Sequence, residues 1–267
     1  MEKIYSLNDF RVFRKNIGSN TLGFVPTMGA LHAGHQSLIR RSSKENKVTV
    51  VSIFVNPLQF NDPKDFEKYP KSTEKDLELA ESAGASAVFL PSVGEIYPQG
   101  FHFQISENDI SNHLCGQFRA GHFEGVLTVV SKLFNIVAPH RAYFGEKDFQ
   151  QLQLIRNFVS DFFLPIQIKG CPTLREESGL AMSSRNKRLS EAGLKIAPRF
   201  FEFLSAPGLS LKERNLKLEQ AGFTVEYIEE KWGRRLSAVN LEGVRLIDNV
   251  DISAEGFIVG GLDDSRP

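Results

Sequence analysis

The chain has 267 residues, with 32 Lys plus Arg against 32 Asp plus Glu, so its formal net charge is zero. That balance excludes a general electrostatic affinity for nucleic acid or an anionic membrane and leaves room for a local basic site. No apolar run reaches membrane-spanning length, and the N-terminus lacks a signal-peptide pattern. Cys115 and Cys171 stand far apart with no metal spacing, so the expectation is a cytoplasmic protein with free thiols.

In chain order, the strand-like run 22–25 leads through Pro26-Thr-Met-Gly-Ala-Leu-His-Ala-Gly-His35 to Leu38 and Ile39 at helical spacing. The segment reads as strand, tight turn and helix. His32 and His35, three residues apart near a helix start, share one face of it. A helix N-terminus with unpaired N–H groups suits a phosphate. Further strand-like runs follow at 48–55, 87–90, 141–144 and 166–169, with helical stretches near 31–44, 72–83, 124–137 and 148–160. The run 48–55 is nearly all apolar or β-branched, as expected of a parallel strand covered on both faces. The alternation predicts right-handed βαβ units and a Rossmann-like, doubly wound parallel sheet, an α/β fold. After Cys171-Pro172 the pattern changes. Helical patches over 190–221, broken at Pro198 and near Ala206, precede strand-like runs at 224–229, 236–239 and 244–250. Two domains are expected: residues 1–171 around the parallel sheet, and residues 172–267 as a smaller α+β lid with an antiparallel sheet.

Ligands of open α/β sheets bind at the carboxyl ends of the strands. Four polar segments follow strands here, at 28–35, 56–60, 145–148 and 180–186. Lys147, Arg185 and Arg119 offer cations for phosphate or carboxylate, and Ser183 and Ser184 offer hydroxyls. Gln59 and Gln151 offer amides that donate and accept. Asp148 and Glu146 are carboxylates of the kind that hold magnesium beside substrate phosphates. Each residue alone also fits an ordinary turn, cap or solvated position; their convergence on one sheet edge predicts a site. His102, His113 and His140 have no cysteine partners at zinc spacing and read as structural or surface residues. His122 carries slightly more weight, because Arg119-Ala-Gly-His-Phe123 precedes an apolar helix.

Four segments in this order resemble the pantothenate synthetases, the ligases that join pantoate to β-alanine using ATP. They are Val25-Pro-Thr-Met-Gly-Ala-Leu-His-Ala-Gly-His35, Val51-Ser-Ile-Phe-Val-Asn-Pro-Leu-Gln-Phe60, Phe144-Gly-Glu-Lys-Asp-Phe-Gln-Gln-Leu152 and Gly179-Leu-Ala-Met-Ser-Ser-Arg-Asn186. The likeness returns at Arg245-Leu-Ile-Asp-Asn249. It implies that Met28, Gly29, Ala30, Leu31, His32, Ala33, Gly34 and His35 bind ATP. In that carry-over His32, His35 and Lys147 are catalytic, with His35 the proton donor. Gly145, Glu146, Lys147 and Asp148 would bind ATP too, Lys147 at the phosphates and Asp148 near Mg2+. Leu174 would touch the adenine part through its backbone. Met182, Ser183, Ser184 and Arg185 would form a mobile phosphate loop carried by the lid. Gln59 would contact pantoate and β-alanine, and Gln151 pantoate. A homodimer through the first domain is also implied, with no nucleic-acid or membrane partner. Two departures stand out: Ala120 replaces the family's usual proline in Arg-Pro-Gly-His-Phe, and residues 200–245 look short.

The chemistry this predicts is a two-step ligation through pantoyl adenylate, releasing pyrophosphate and then AMP. Pro26, Met28, Val126, Val129 and Val130 are candidates for an apolar wall against pantoate's methyl groups. Two rivals are another nucleotidyltransferase of the same superfold without the ligation step, and a nucleotide-sensing protein that has lost catalysis.

Overall fold

The computed structural model describes residues 1–253 apart from 62–65, 68, 71 and 100. The chain divides into two compact units, 1–177 with 181–187, and 178–180 with the residues from Arg188 onward.

In the first unit six strands form one parallel sheet in the order β1 (Glu2–Ile4), β4 (Ala87–Phe89), β3 (Val48–Ile53), β2 (Leu22–Thr27), β5 (Arg141–Gly145) and β6 (Gln167–Cys171). From β2 the chain passes through helix α2 (Ala33–Glu45) to β3 on one side. From β5 it passes through helix α5 (Phe149–Asp161) to β6 on the other. The order therefore reverses between β2 and β5, and the carboxyl ends of these two strands flank the crevice where open α/β sheets bind ligands. Alternation along each strand feeds two apolar layers. Val25, Val51 and Val88 pack with Ile39 of α2 and with Leu77 and Ala80 of helix α3 (Thr73–Ser82). On the other layer Phe24 meets Phe134 of helix α4 (His122–Val137), which also meets Phe144. Helix α1 (Leu7–Asn16) adds Phe10, whose ring lies 4.7 Å from that of Phe89. The edge strand β1 has only three residues, too few for its period to show in sequence.

The first unit extends past the 171/172 boundary drawn from sequence. Arg175 pairs with Ala181 as an antiparallel bridge, and Met182 N–H donates to the Leu174 carbonyl at 3.0 Å. Asn186 donates to both Ala181 O and Glu176. These bonds fasten residues 181–187 to the segment leaving β6, so Met182 to Arg185 belong with the parallel sheet, a correction to their expected place on the lid domain.

The second unit holds an antiparallel sheet of β7 (Thr224–Lys231), β8 (Arg234–Leu241) and β9 (Val244–Asp251). Phe200, Leu204, Leu218 and Phe223 pack with Val239, Leu241, Val244 and Leu246 to make its core. Pro198 separates the helices Glu191–Ile196 and Arg199–Ser205, as its missing N–H and its ring's clash with the carbonyl four residues back dictate. The Arg245-Leu-Ile-Asp-Asn249 segment lies in β9, where Arg245 pairs with Glu226 at 2.8 Å.

One buried carboxylate shapes the turn from β2 to α2. Asp76, 2% exposed on α3, accepts from the N–H of Ala30 at 2.9 Å and of Leu31 at 2.7 Å. Ser72 adds a hydroxyl at 3.1 Å. Ala30 sits at φ +50°, a left-handed conformation that alanine rarely adopts and that these bonds hold. Asp76→Ala strands two buried donors, so a loss of about 3 kcal/mol is expected. That corresponds to a fall in Tm of about 6–12 °C. Asp76→Asn, which keeps one acceptor, should fall between. Thermal melts check this, and an unchanged melt for Asp76→Ala overturns it.

Candidate active site

The turn after β2 carries His32 as the N-cap of α2. Its Nδ1 accepts from the Gly34 N–H at 3.1 Å, while His35 Nδ1 accepts from the His32 N–H at 3.4 Å. The two imidazoles thus cap the helix reciprocally, as a Ser and Glu do in a capping box. Gly34 is required here, since a Cβ would lie 2.8 Å from the His32 ring. The ring centroids are 4.1 Å apart and tilted by 45°. Because each Nδ1 accepts from backbone, each neutral ring carries its proton on Nε2. Burial lowers the His35 pKa to about 3, helped by the neighbouring His32. Burial also lowers His32 to about 4, helped by the charges of Lys147 and Lys187. Both are neutral N–H donors at pH 7.

This arrangement engages several of the backbone donors near the helix start. The N–H of Gly29 goes to Thr27, those of Ala30 and Leu31 to Asp76, that of His32 to His35 and that of Gly34 to His32. With both Nδ1 atoms engaged by backbone, the Nε2–H groups are the donors the two imidazoles have left.

Across the reversal point, β5 ends at Gly145 and a 3-10 turn, Glu146–Asp148, follows. Lys147 and Asp148 act electrostatically on both His32 and His35, Lys147 lowering and Asp148 raising their pKa values. Glu146 is turned elsewhere. Its carboxylate lies over Gly170 of β6 with the Arg156 guanidinium, each 3.1 Å from where a side chain there would begin. Among the described residues no three His, Cys, Asp or Glu side chains gather as a metal cage. Asp148, exposed beside Lys147, fits a magnesium ion that arrives on a nucleotide's phosphates.

Met182 of the 181–187 segment approaches the same turn: its Cβ would lie 3.8 Å from a Cβ at Gly34. Ser183 Oγ accepts from the Arg185 N–H at 3.2 Å, opening the 3-10 helix Ser184–Arg188. The Tyr69 hydroxyl is hydrogen-bonded to Ser184 and feels Arg185, Asp76 and Asp148; burial raises its pKa. Leu174 carries its carbonyl on Met182 N–H.

Gln59 ends the 3-10 turn Pro57–Gln59 that follows β3. Its Oε1 accepts from Asn56 Nδ2 at 3.0 Å, and its Nε2 lies 2.9 Å from Met28 Sδ, so the β2 and β3 loops touch. Arg119 and His122 reach its main chain, and His122, 7% exposed, feels Arg185 and Asp148. Gln151 is half-buried on the first turn of α5, next to the Lys147 loop. Its neighbour Gln150 is buried and binds the backbone of residues 110, 113 and 115. Val126, Val129 and Val130 are buried in α4. His140 accepts from Leu22 N–H and is structural.

Sequence reasoning missed Asp76 and Tyr69. Asp76 sits in Thr73-Glu-Lys-Asp76, which reads as an ordinary acidic first turn, and its partners lie 45 and 46 residues away. Tyr69 stands in a polar stretch without period. Only the three-dimensional meeting with Ser184 singles it out.

The family model for pantoate-beta-alanine ligase matches residues 1–251. A pantothenate synthetase of Legionella pneumophila is 50% identical over 253 residues, covering 93% of this chain and 99% of that protein. One from Bdellovibrio bacteriovorus is 49% identical over 247 residues, covering 92% and 98%. The crystal structure of the pantoate-beta-alanine ligase from Francisella tularensis, complexed with beta-gamma ATP and beta-alanine, superposes with a TM-score of 0.90. It is 42% identical and is matched over 95% of this chain and 98% of that one. The pantothenate synthetase from Thermus thermophilus gives a TM-score of 0.86 at 39% identity, over 94% and 99%. Residues 200–245, which looked short, are therefore not short beside these relatives. The chain belongs to the pantoate-beta-alanine ligase family.

Proposed function

We propose that this chain condenses pantoate with β-alanine at the expense of ATP, in two steps on the site at the carboxyl ends of β2, β3 and β5. A pantoate carboxylate oxygen attacks the α-phosphorus of ATP and pyrophosphate leaves. The β-alanine nitrogen then attacks the acyl carbon of the pantoyl adenylate, loses a proton and expels AMP. The observation that carries this reading is the pair of neutral imidazoles beside Lys147, with Gln59 on the adjoining loop.

In the first step negative charge grows on the phosphate oxygens. His32 and His35 present Nε2–H donors to it, and Lys147 and Arg185 supply the cations. His35 acts as a hydrogen-bond donor, its proton already on Nε2 before ligand arrives. This refines the proton-donor role that the resemblance implies, since a ring with a pKa of about 3 is not an imidazolium at neutral pH. Ser183 and Ser184 add hydroxyls, and the loops of Met28 to His35 and Gly145 to Asp148 embrace the nucleotide, with Leu174 at the adenine. A magnesium ion carried on the phosphates would be held by Asp148 and would neutralise their charge. Gln59 and Gln151 address pantoate through their amides, with β-alanine also near Gln59. Val126, Val129 and Val130 supply apolar surface.

We place the enzyme in the cytoplasm as a homodimer through the first unit, with small-molecule substrates and no nucleic-acid or membrane partner. Among the described residues no helix is long and apolar enough to cross a membrane.

Three outcomes test this reading. Pyrophosphate exchange into ATP should require pantoate and proceed without β-alanine; a strict β-alanine requirement overturns the separable adenylate. His35→Ala should stay folded, its melt lowered by only about 2–4 °C through the lost cap on the His32 N–H, and should lose about two to four orders of magnitude in single-turnover adenylate formation. Near-normal turnover moves the charge-stabilising role to Lys147. In ligand-free protein the ring C–H resonances assigned to His32 and His35 should not titrate between about pH 5.5 and 8, given pKa values of about 4 and 3. Their unfolded forms protonate near pH 6.5, so stability should be full above that pH and fall as pH drops from about 6.5 towards 4. A ring midpoint near 6.5 overturns the neutral-donor role.

A further inference from the structure

We infer that Arg119 and His122 form a positioning clamp that sets Gln59 as a hydrogen-bond donor towards an oxygen of the carboxylic acid substrate. The inference rests on the reading of Gln59 as a pantoate contact and adds what holds it there.

The clamp closes on the Gln59 carbonyl, which lies 2.9 Å from His122 Nδ1 and 3.3 Å from Arg119 Nη2. Arg119 Nη1 in turn lies 2.9 Å from His122 Nε2. A guanidinium has only donors, so Nε2 must accept from it. The ring proton therefore sits on Nδ1, the nitrogen that donates to the Gln59 carbonyl. His122 is the first residue of α4, and the helix seats itself against the same turn. Gly125 has no Cβ where one would lie 2.4 Å from the Leu58 carbonyl oxygen and 2.7 Å from Gln59 N. Helix and loop are thus registered through backbone contact at one point and through the histidine at another.

The side chain of Gln59 is held with equal definition. Asn56 Nδ2 donates to Gln59 Oε1 and, at 3.0 Å, to the Gly125 carbonyl. Asn56 Oδ1 accepts from the Tyr97 hydroxyl at 2.7 Å. The amide orientation follows: Oε1 is engaged by Asn56, and Nε2 faces the Met28 thioether, a weak acceptor that a substrate oxygen outcompetes. Gln59 presents N–H and reads an acceptor oxygen, with its main chain fixed from behind.

Three substitutions at His122 separate donor from acceptor. His122→Asn puts an amide nitrogen near the Nδ1 position and keeps the bond to Gln59. His122→Gln reaches the Nε2 position and keeps only the Arg119 contact. His122→Ala keeps neither. We expect Gln and Ala to raise the pantoate KM by about tenfold to a hundredfold, the scale of a small misplacement of a positioning group. Asn should recover most of it, with the ATP KM unchanged throughout. Arg119→Gln, at a half-buried position, should raise the pantoate KM in the same direction. Long-range proton–nitrogen correlation on the unsubstituted protein should show His122 protonated at Nδ1. A proton on Nε2 overturns the clamp without any variant. Parallel rises in both KM values, or no advantage of Asn over Gln, also overturn it. Gln59→Ala is the control. If it leaves the pantoate KM unchanged, the underlying reading of Gln59 falls. If it raises that KM while the Arg119 and His122 variants do not, the clamp alone falls.

Discussion

Pairing of the backbone donors of Gly29 to His32 and of Gly34, in the turn between β2 and α2, is the constraint on which the rest of the site depends. Asp76 takes the N–H groups of Ala30 and Leu31, and the two histidines take those of Gly34 and His32. Buried amides left unpaired are costly, so the turn is stable only when a carboxylate from α3 and two imidazoles are all in register. The imidazoles are consequently oriented by the same bonds that start the helix. Their Nδ1 atoms are committed to the fold and their Nε2–H groups are what remains for a ligand. In the proposed mechanism the orientation of both donors is a by-product of helix capping.

The sheet order makes that turn useful. Because β2 and β5 diverge in their onward connections, their carboxyl ends stand next to each other with no crossover covering them. The His32–His35 pair thereby meets Lys147 and Asp148, whose charges register on both rings. The β3 loop lies on the other side of β2, and the contact between Gln59 and Met28 joins it to the same turn. The groups proposed to face the nucleotide and those proposed to face the acid are neighbours because their parent strands are neighbours.

Much of this was legible in the sequence, for a definite reason. A nearly continuous apolar run such as 48–55 and a strand–turn–helix around His32 leave local signatures, and so do the polar segments after each strand. The antiparallel strands of the second unit were legible on the same ground, through alternation and turn residues. What stayed hidden depends on pairings distant in sequence. Asp76 looks like a helix-start acid until it meets residues 30 and 31. The placement of Met182 to Arg185 rests on Leu174, Arg175 and Glu176 across a short return, which composition does not encode. The identity of the proton-bearing nitrogen on each histidine follows only from what faces the other nitrogen, so no motif reveals it.

The neutrality of the paired histidines has its own logic. Two imidazolium rings with centroids 4.1 Å apart, beside Lys147 and Lys187, would repel each other and the lysines at short range in a partly dehydrated site. Neutral rings place two strong N–H donors side by side without that penalty, and the lysines can supply the net charge from a greater distance. In the proposed first step the donors also need not lose a proton or reorganise when charge shifts from the α-phosphate to the departing pyrophosphate, which is what preorganised stabilisation requires. Cationic histidines would bind the ground-state polyphosphate more tightly and gain little in the transition state. In the mechanism proposed here, burial and the nearby lysines, by holding the rings neutral, direct the available interaction towards the step in which charge moves.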